Sequence, residues 1–218
     1  MLKAVLFDWG DTLVLLEWDD ELVLLGHRSA LGRDDPEFTA RWRELLLGDD
    51  HGYRPYTELL GELGVDDPVA FIDREHEVWR PAYRVLASAR ALLESLRDRG
   101  LRTGLVANAW PDPARVLRAD TEALGLAGFL DVLVFADETG VRKPEPESFL
   151  HACRELDVEP TAALFVGDDL RNDVQGAARV GMKTVQALWF RADDTEGIES
   201  DYTAFTALDV LNIARRLA

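Results

Sequence analysis

The apolar positions of this chain follow two patterns that divide it. Five short apolar runs, Ala4–Phe7, Thr103–Ala107, Val132–Phe135, Ala163–Val166 and Thr184–Ala187, lack polar alternation. That is the signature of parallel strands buried on both faces. Helical patterns lie between and after them. Ala89–Arg99 sets Leu92, Leu93 and Leu96 on one face, and Pro113–Leu124 follows Asp112 as its N-cap. Glu147–Leu156, Arg171–Val180 and Ala207–Leu217 complete the series. From about residue 87 onward this alternation predicts an α/β fold with a doubly wound, Rossmann-like parallel sheet.

The stretch Leu15–Leu86 reads differently. It holds helical runs at Glu21–Leu31, Pro36–Leu47, Tyr56–Leu63 and Pro68–Trp79, with no strand-like run among them. Two start on the same signal, Asp-Asp-Pro at 34–36 and 66–68. The division that follows is an α/β core of residues 1–14 and 87–218, with a helical cap domain of residues 15–86 inserted after the first strand.

Composition narrows the function classes. Acids outnumber bases 41 to 24, a net charge of −17 that repels nucleic acid and anionic membranes. No run approaches the ~20 apolar residues of a membrane helix, and the start MLKAVLFDWG reads as a strand, not a secretion signal. The lone cysteine, Cys153, excludes an internal disulfide and suits a reducing cytoplasm. A monomer or homodimer is expected.

The chemistry gathers where strands end. In open α/β sheets the functional crevice lies outside the carboxyl ends of the strands. The first strand ends in Asp8-Trp9-Gly10-Asp11-Thr12 and the second in Ala107-Asn108. The loop after the third holds Gly140-Val141-Arg142-Lys143-Pro144, and the fourth ends in Gly167-Asp168-Asp169-Leu170-Arg171-Asn172-Asp173. Converging carboxylates repel one another unless a cation joins them, and oxygen donors of this kind suit Mg²⁺. Lys143 adds a fixed positive charge. A metal, a lysine and an ionised carboxylate together describe a site for a phosphoryl group.

The segments VLFDWGDTL, GVRKPEPESFLHAC and ALFVGDDLRNDVQGAARVGMKTV resemble the haloacid dehalogenase-like hydrolase superfamily, in the branch whose helical cap follows the first strand. The resemblance implies that Asp8 is a nucleophile forming an aspartyl-phosphate. It implies Mg²⁺ held by Asp8, the Gly10 carbonyl, Asp168 and Asp173, with Asp169 nearby. Lys143 would steady Asp8 and the phosphoryl oxygens of a small phosphorylated substrate.

Two departures stand out. Phosphatases of this family carry a second Asp, the leaving-group acid, where this chain has Gly10; an Asp appears one residue later, at Asp11. They carry Ser or Thr where this chain has Ala107, so Asn108 is the candidate replacement for contact with the phosphoryl group. A non-catalytic binding protein and a C–X hydrolase are the alternatives. In the cap, Trp18 and the loop His51-Gly52-Tyr53-Arg54 are candidates to face substrate, as is Trp110 in the core, whereas Trp42 and Trp79 fall at core spacing.

Overall fold

The computed structural model describes residues 1–17, 19–47, 54–109 and 112–218. The strands are β1 (Ala4–Phe7), β2 (Val14–Leu16), β3 (Tyr83–Val85), β4 (Arg102–Ala107), β5 (Val132–Phe135), β6 (Ala163–Gly167), β7 (Lys183–Ala187) and β8 (Tyr202–Ala204). The helices are α1 (Asp20–Leu31), α2 (Pro36–Leu47), α3 (Tyr56–Glu62), α4 (Pro68–Trp79), α5 (Ala89–Arg97), α6 (Ala114–Ala123), α7 (Ala136–Thr139), α8 (Pro146–Glu155), α9 (Gly176–Arg179) and α10 (Ala207–Leu217).

Two compact units emerge. One comprises Met1–Leu15, Arg84–Asn108 and Thr121–Ala218; the other comprises Leu16–Tyr83 and Ala109–Asp120. The first holds a six-stranded sheet in the order β5-β4-β1-β6-β7-β8, parallel throughout. β1 lies between β4 and β6, with Leu6 opposite both Gly104 and Phe165. The strand order therefore reverses beside β1, which opens a crevice at its carboxyl end. Leu6, Val106, Val134, Phe149 and Phe165 form part of the buried core of this unit. Cys153 is buried there as a free thiol, and burial pushes its pKa up to about 11, so it is inert packing.

The expected strands and helices are present, with four differences, the first being the four-residue α7, which no pattern predicted. β2 and β3 pair with each other in a separate two-stranded sheet. They interrupt the ends of a stretch read as wholly helical, and each is only three residues long. β8 is equally short and lies at the sheet edge. The helix expected over Arg171–Val180 is instead π-helical at Leu170–Gln175, followed by α9. Among the described residues no helix is long and apolar enough to cross a membrane.

The helical unit is built on aromatic residues. Trp42 and Trp79 are 2% and 1% exposed, and both pack with Phe38, Tyr56, Leu60 and Ile72. The two Asp-Asp-Pro signals act as helix starts: Asp35 accepts from Phe38 N and Asp67 from Ala70 N, each at 3.0 Å. Through this core runs a buried polar chain with a member from each of α1 to α4. Trp42 Nε1 donates to Tyr56 Oη at 2.8 Å, and Tyr56 donates to Glu75 Oε2 at 3.0 Å. Glu75 Oε1 lies 3.1 Å from His27 Nε2, and His27 Nδ1 lies 2.7 Å from Thr39 Oγ1.

Burial first, and the Asp112 charge second, hold the Glu75 carboxyl well above its usual range. Burial and the Arg43 charge pull His27 down to about 4. Both shifts favour the uncharged form of each group, with Glu75 Oε1 facing His27 Nε2. In the unfolded chain Glu75 and His27 return to about 4.5 and 6.5. Between those values both states hold one proton. Above about 6.5 the unfolded chain has released it while the folded chain keeps it, so stability falls as pH rises, by at most ~1.4 kcal/mol per unit for one proton. Urea unfolding at pH 6.5 and 8.5 should show this loss in the wild type. Glu75→Gln, isosteric and unable to titrate, should reduce that loss.

Candidate active site

Asp8 follows β1 directly, and its backbone N–H donates to Val166 O of β6 at 2.9 Å. Its carboxylate is met by Lys143, whose Nζ lies 2.5 Å from Asp8 Oδ1 and 2.6 Å from Asp173 Oδ1. The Lys143 side chain is only 3% exposed. Burial alone would lower its pKa, but the charges of Asp173 and Asp8 outweigh that and raise it, so the ammonium stays charged. The Phe165 ring lies beneath it, 5.5 Å from Nζ to the centroid.

Asp168 and Asp173 arrive from the end of β6. Asp173 sits in the π-helical turn, where a widened backbone is common at functional sites. Its Oδ2 accepts from Asp169 N at 3.1 Å. Gly167 makes this approach possible, because a Cβ there would lie 2.3 Å from Asp173 Oδ2. Asp168 accepts from Thr12 Oγ1 at 3.4 Å and from Arg191 Nε at 2.9 Å. Carboxylate oxygens of Asp8, Asp168 and Asp173 fall within 4.8 Å of one another. Burial first, with the neighbouring carboxylates adding to it, raises both Asp168 and Asp173 well above the usual carboxylate range.

The four acids Asp8, Asp11, Asp168 and Asp173 face two fixed cations, Lys143 and Arg191. Two formal negative charges are left over. Clustered hard oxygens with that excess fit one small divalent cation.

The structure thus brings together Asp8, Lys143, Asp168 and Asp173. Asp11 adopts a left-handed backbone conformation, with φ 52°, and its Oδ2 lies 3.4 Å from Arg191 Nη1. Burial raises its carboxyl above the usual value and Arg191 works against that. Asn108 turns its amide to the backbone of Lys143. Its Oδ1 accepts from Lys143 N at 2.8 Å and its Nδ2 donates to Lys143 O at 3.1 Å, a two-point clamp on the lysine backbone. Asp169 caps the π-helical turn by accepting from Arg171 N and Asn172 N. Gly10 bridges to Val14, and a Cβ on it would meet nothing within 4 Å.

Arg191 and Thr12 are the residues that motif reading missed. Arg191 follows β7, the fifth predicted strand, whose carboxyl end belongs to the same crevice rim as the other four. Of the cap candidates, Arg54 is paired with Glu62. Trp18, His51, Gly52, Tyr53 and Trp110 lie outside the described residues.

Comparison with known proteins agrees with this geometry. The chain is 31% identical to the glyceraldehyde 3-phosphate phosphatase of Methanopyrus kandleri, covering 100% of this chain and 99% of that one. It is 33% identical to the N-acetylmuramic acid 6-phosphate phosphatase of Pseudomonas aeruginosa, over 84% of this chain and 80% of that one. A solved HAD phosphatase from Thermococcus onnurineus superposes with a TM-score of 0.77 at 28% identity, over 97% of both chains. The family model for haloacid dehalogenase-like hydrolases matches residues 2–181, a span that holds Asp8, Lys143, Asp168 and Asp173. This chain belongs to the haloacid dehalogenase-like hydrolase family.

Proposed function

We propose that the protein is a cytoplasmic, Mg²⁺-dependent phosphohydrolase that processes a small phosphorylated metabolite through an aspartyl-phosphate on Asp8. The observation that carries this reading is the Lys143 ammonium held between Asp8 and Asp173. A buried cation against a strand-end carboxylate balances its charge and aims it, as a nucleophile requires. The relatives named above act on glyceraldehyde 3-phosphate and on N-acetylmuramic acid 6-phosphate, both small phosphate monoesters.

In this scheme Asp8 attacks phosphorus and the alcohol leaves. Lys143 balances the charge of the attacking carboxylate and of the phosphoryl oxygens. Asp8, the Gly10 carbonyl, Asp168 and Asp173 would hold Mg²⁺, which would supply further charge compensation for the phosphoryl group. Asp11 protonates the leaving oxygen and then takes a proton from the water that cleaves the aspartyl-phosphate. Asn108 acts on the reaction indirectly, by fixing the Lys143 backbone. The free thiol of Cys153 is consistent with a reducing compartment.

The first test uses an activated aryl phosphate and a panel of metabolite phosphates. Turnover should require Mg²⁺, stop with chelator and vanish in Asp8→Asn. Chelator-resistant halide release from a haloacid would sink the reading in favour of C–X hydrolysis. A second test probes the displaced acid. Asp11→Asn should lower kcat on a poor leaving group by ~10²–10⁴. Gly10→Asp, which the open space at that Cβ admits, should restore much of that loss in the Asp11→Asn background. Unchanged kcat in Asp11→Asn assigns proton transfer elsewhere.

A further inference from the structure

Arg191 lies outside the motifs that define the site, yet it touches two of the site's carboxylates. Its Nε donates to Asp168 Oδ2 at 2.9 Å and its Nη1 lies 3.4 Å from Asp11 Oδ2. One planar guanidinium thus spans residues from the ends of two different strands, β1 and β6. The segment that carries it is fixed from several directions. Trp189 Nε1 donates to Thr12 O at 2.8 Å, Leu170 N donates to Asp193 Oδ2 at 2.7 Å, and Gln186 Nε2 donates to Asp193 O at 2.6 Å. Two of these anchors, Thr12 and Leu170, stand in the segments that supply Asp11 and Asp168. The Arg191 side chain is 56% exposed, so core packing does not explain its placement.

We propose that Arg191 is a positioning residue, whose guanidinium bridges Asp11 and Asp168 and fixes the direction of both carboxylates, one for proton transfer and one for cation binding. The inference rests on the hydrolytic reading above and assigns a role to a residue outside it. A guanidinium beside a cation site has two opposed effects. As a charge it repels the incoming ion. As a rigid fork it holds a ligand carboxylate in one orientation, and loss of such an outer partner typically lowers metal affinity ~10–100-fold. Solvent screens the charge of a half-exposed group. It does not screen the geometric restraint, so orientation decides the sign. Lysine cannot substitute, because a point charge does not bridge two carboxylates as a planar fork does.

Calorimetric titration of MgCl₂ into wild type, Arg191→Gln and Arg191→Lys, without substrate, reads the sign directly. Both variants should bind Mg²⁺ roughly tenfold or more weakly. Tighter binding in Arg191→Gln would mean the guanidinium only competes with the ion, and full recovery in Arg191→Lys would mean that charge suffices; either result overturns the proposal, as does a wild type that binds no Mg²⁺. Turnover of the aryl phosphate gives a second reading. Arg191→Gln should lower kcat more than it raises KM, and Asp11→Asn should add little on top of it, since Asp11 is already misdirected. Independent, multiplicative effects of the two substitutions would count against the bridge. Mg²⁺ binding is measured without turnover, so failure of this inference stands apart from failure of the phosphatase reading, which would show as an inactive wild type.

Discussion

Lys143 brings its ammonium, almost without solvent, against the carboxylates of Asp8 and Asp173. A buried charge of either sign is costly alone, and removing one partner of such a cluster leaves the others uncompensated. The surrounding elements are arranged to keep the cluster intact. Asn108 grips the Lys143 backbone on both sides, Phe165 lies under the ammonium, and the lack of a side chain at Gly167 lets Asp173 approach the end of β6. The sheet order serves the same end, because the reversal beside β1 brings the ends of β1, β4 and β6 to one crevice.

Charge also explains how the site departs from its family. Position 10 lacks the usual carboxylate, and the acid one residue later is turned by a left-handed backbone toward Arg191. The chain therefore keeps Asp8, Asp168 and Asp173 clustered around Lys143, while the Asp11 carboxylate stands apart, beside Arg191. Arg191 links Asp11 to Asp168. An acid paired with an arginine and an acid alone in a crevice differ in reach and direction, even where sequence places them one residue apart.

The helical unit solves a different problem with the same physics. Burial disfavours the charged forms of both Glu75 and His27, and Tyr56, Trp42 and Thr39 add hydrogen bonds around them. Because each of α1 to α4 contributes a member, the chain of hydrogen bonds specifies how those helices register. A half-satisfied network would cost more than an apolar core. Sequence could not reveal this, because His27, Thr39, Tyr56 and Glu75 are scattered along the chain and form no motif.

The sequence by itself determined the α/β class, the five principal strands, the run of helices between the first two of them, and the acids and lysine that follow strands. Those features are local: apolar runs without alternation, helix-start signals such as Asp-Asp-Pro, and polar residues immediately after a strand. Three features depended on tertiary structure. Short strands such as β2, β3 and β8 carry too few residues for a pattern and exist only because a partner pairs with them. The π-helical turn at Leu170–Gln175 carries no periodicity of its own and brings Asp173 to Lys143. Asn108 clamps the Lys143 backbone, and Arg191 reaches Asp11 from about 180 residues along the chain. Contacts over such separations are set by which strands lie side by side and by how buried charges find partners, and neither is written in any one segment of the chain.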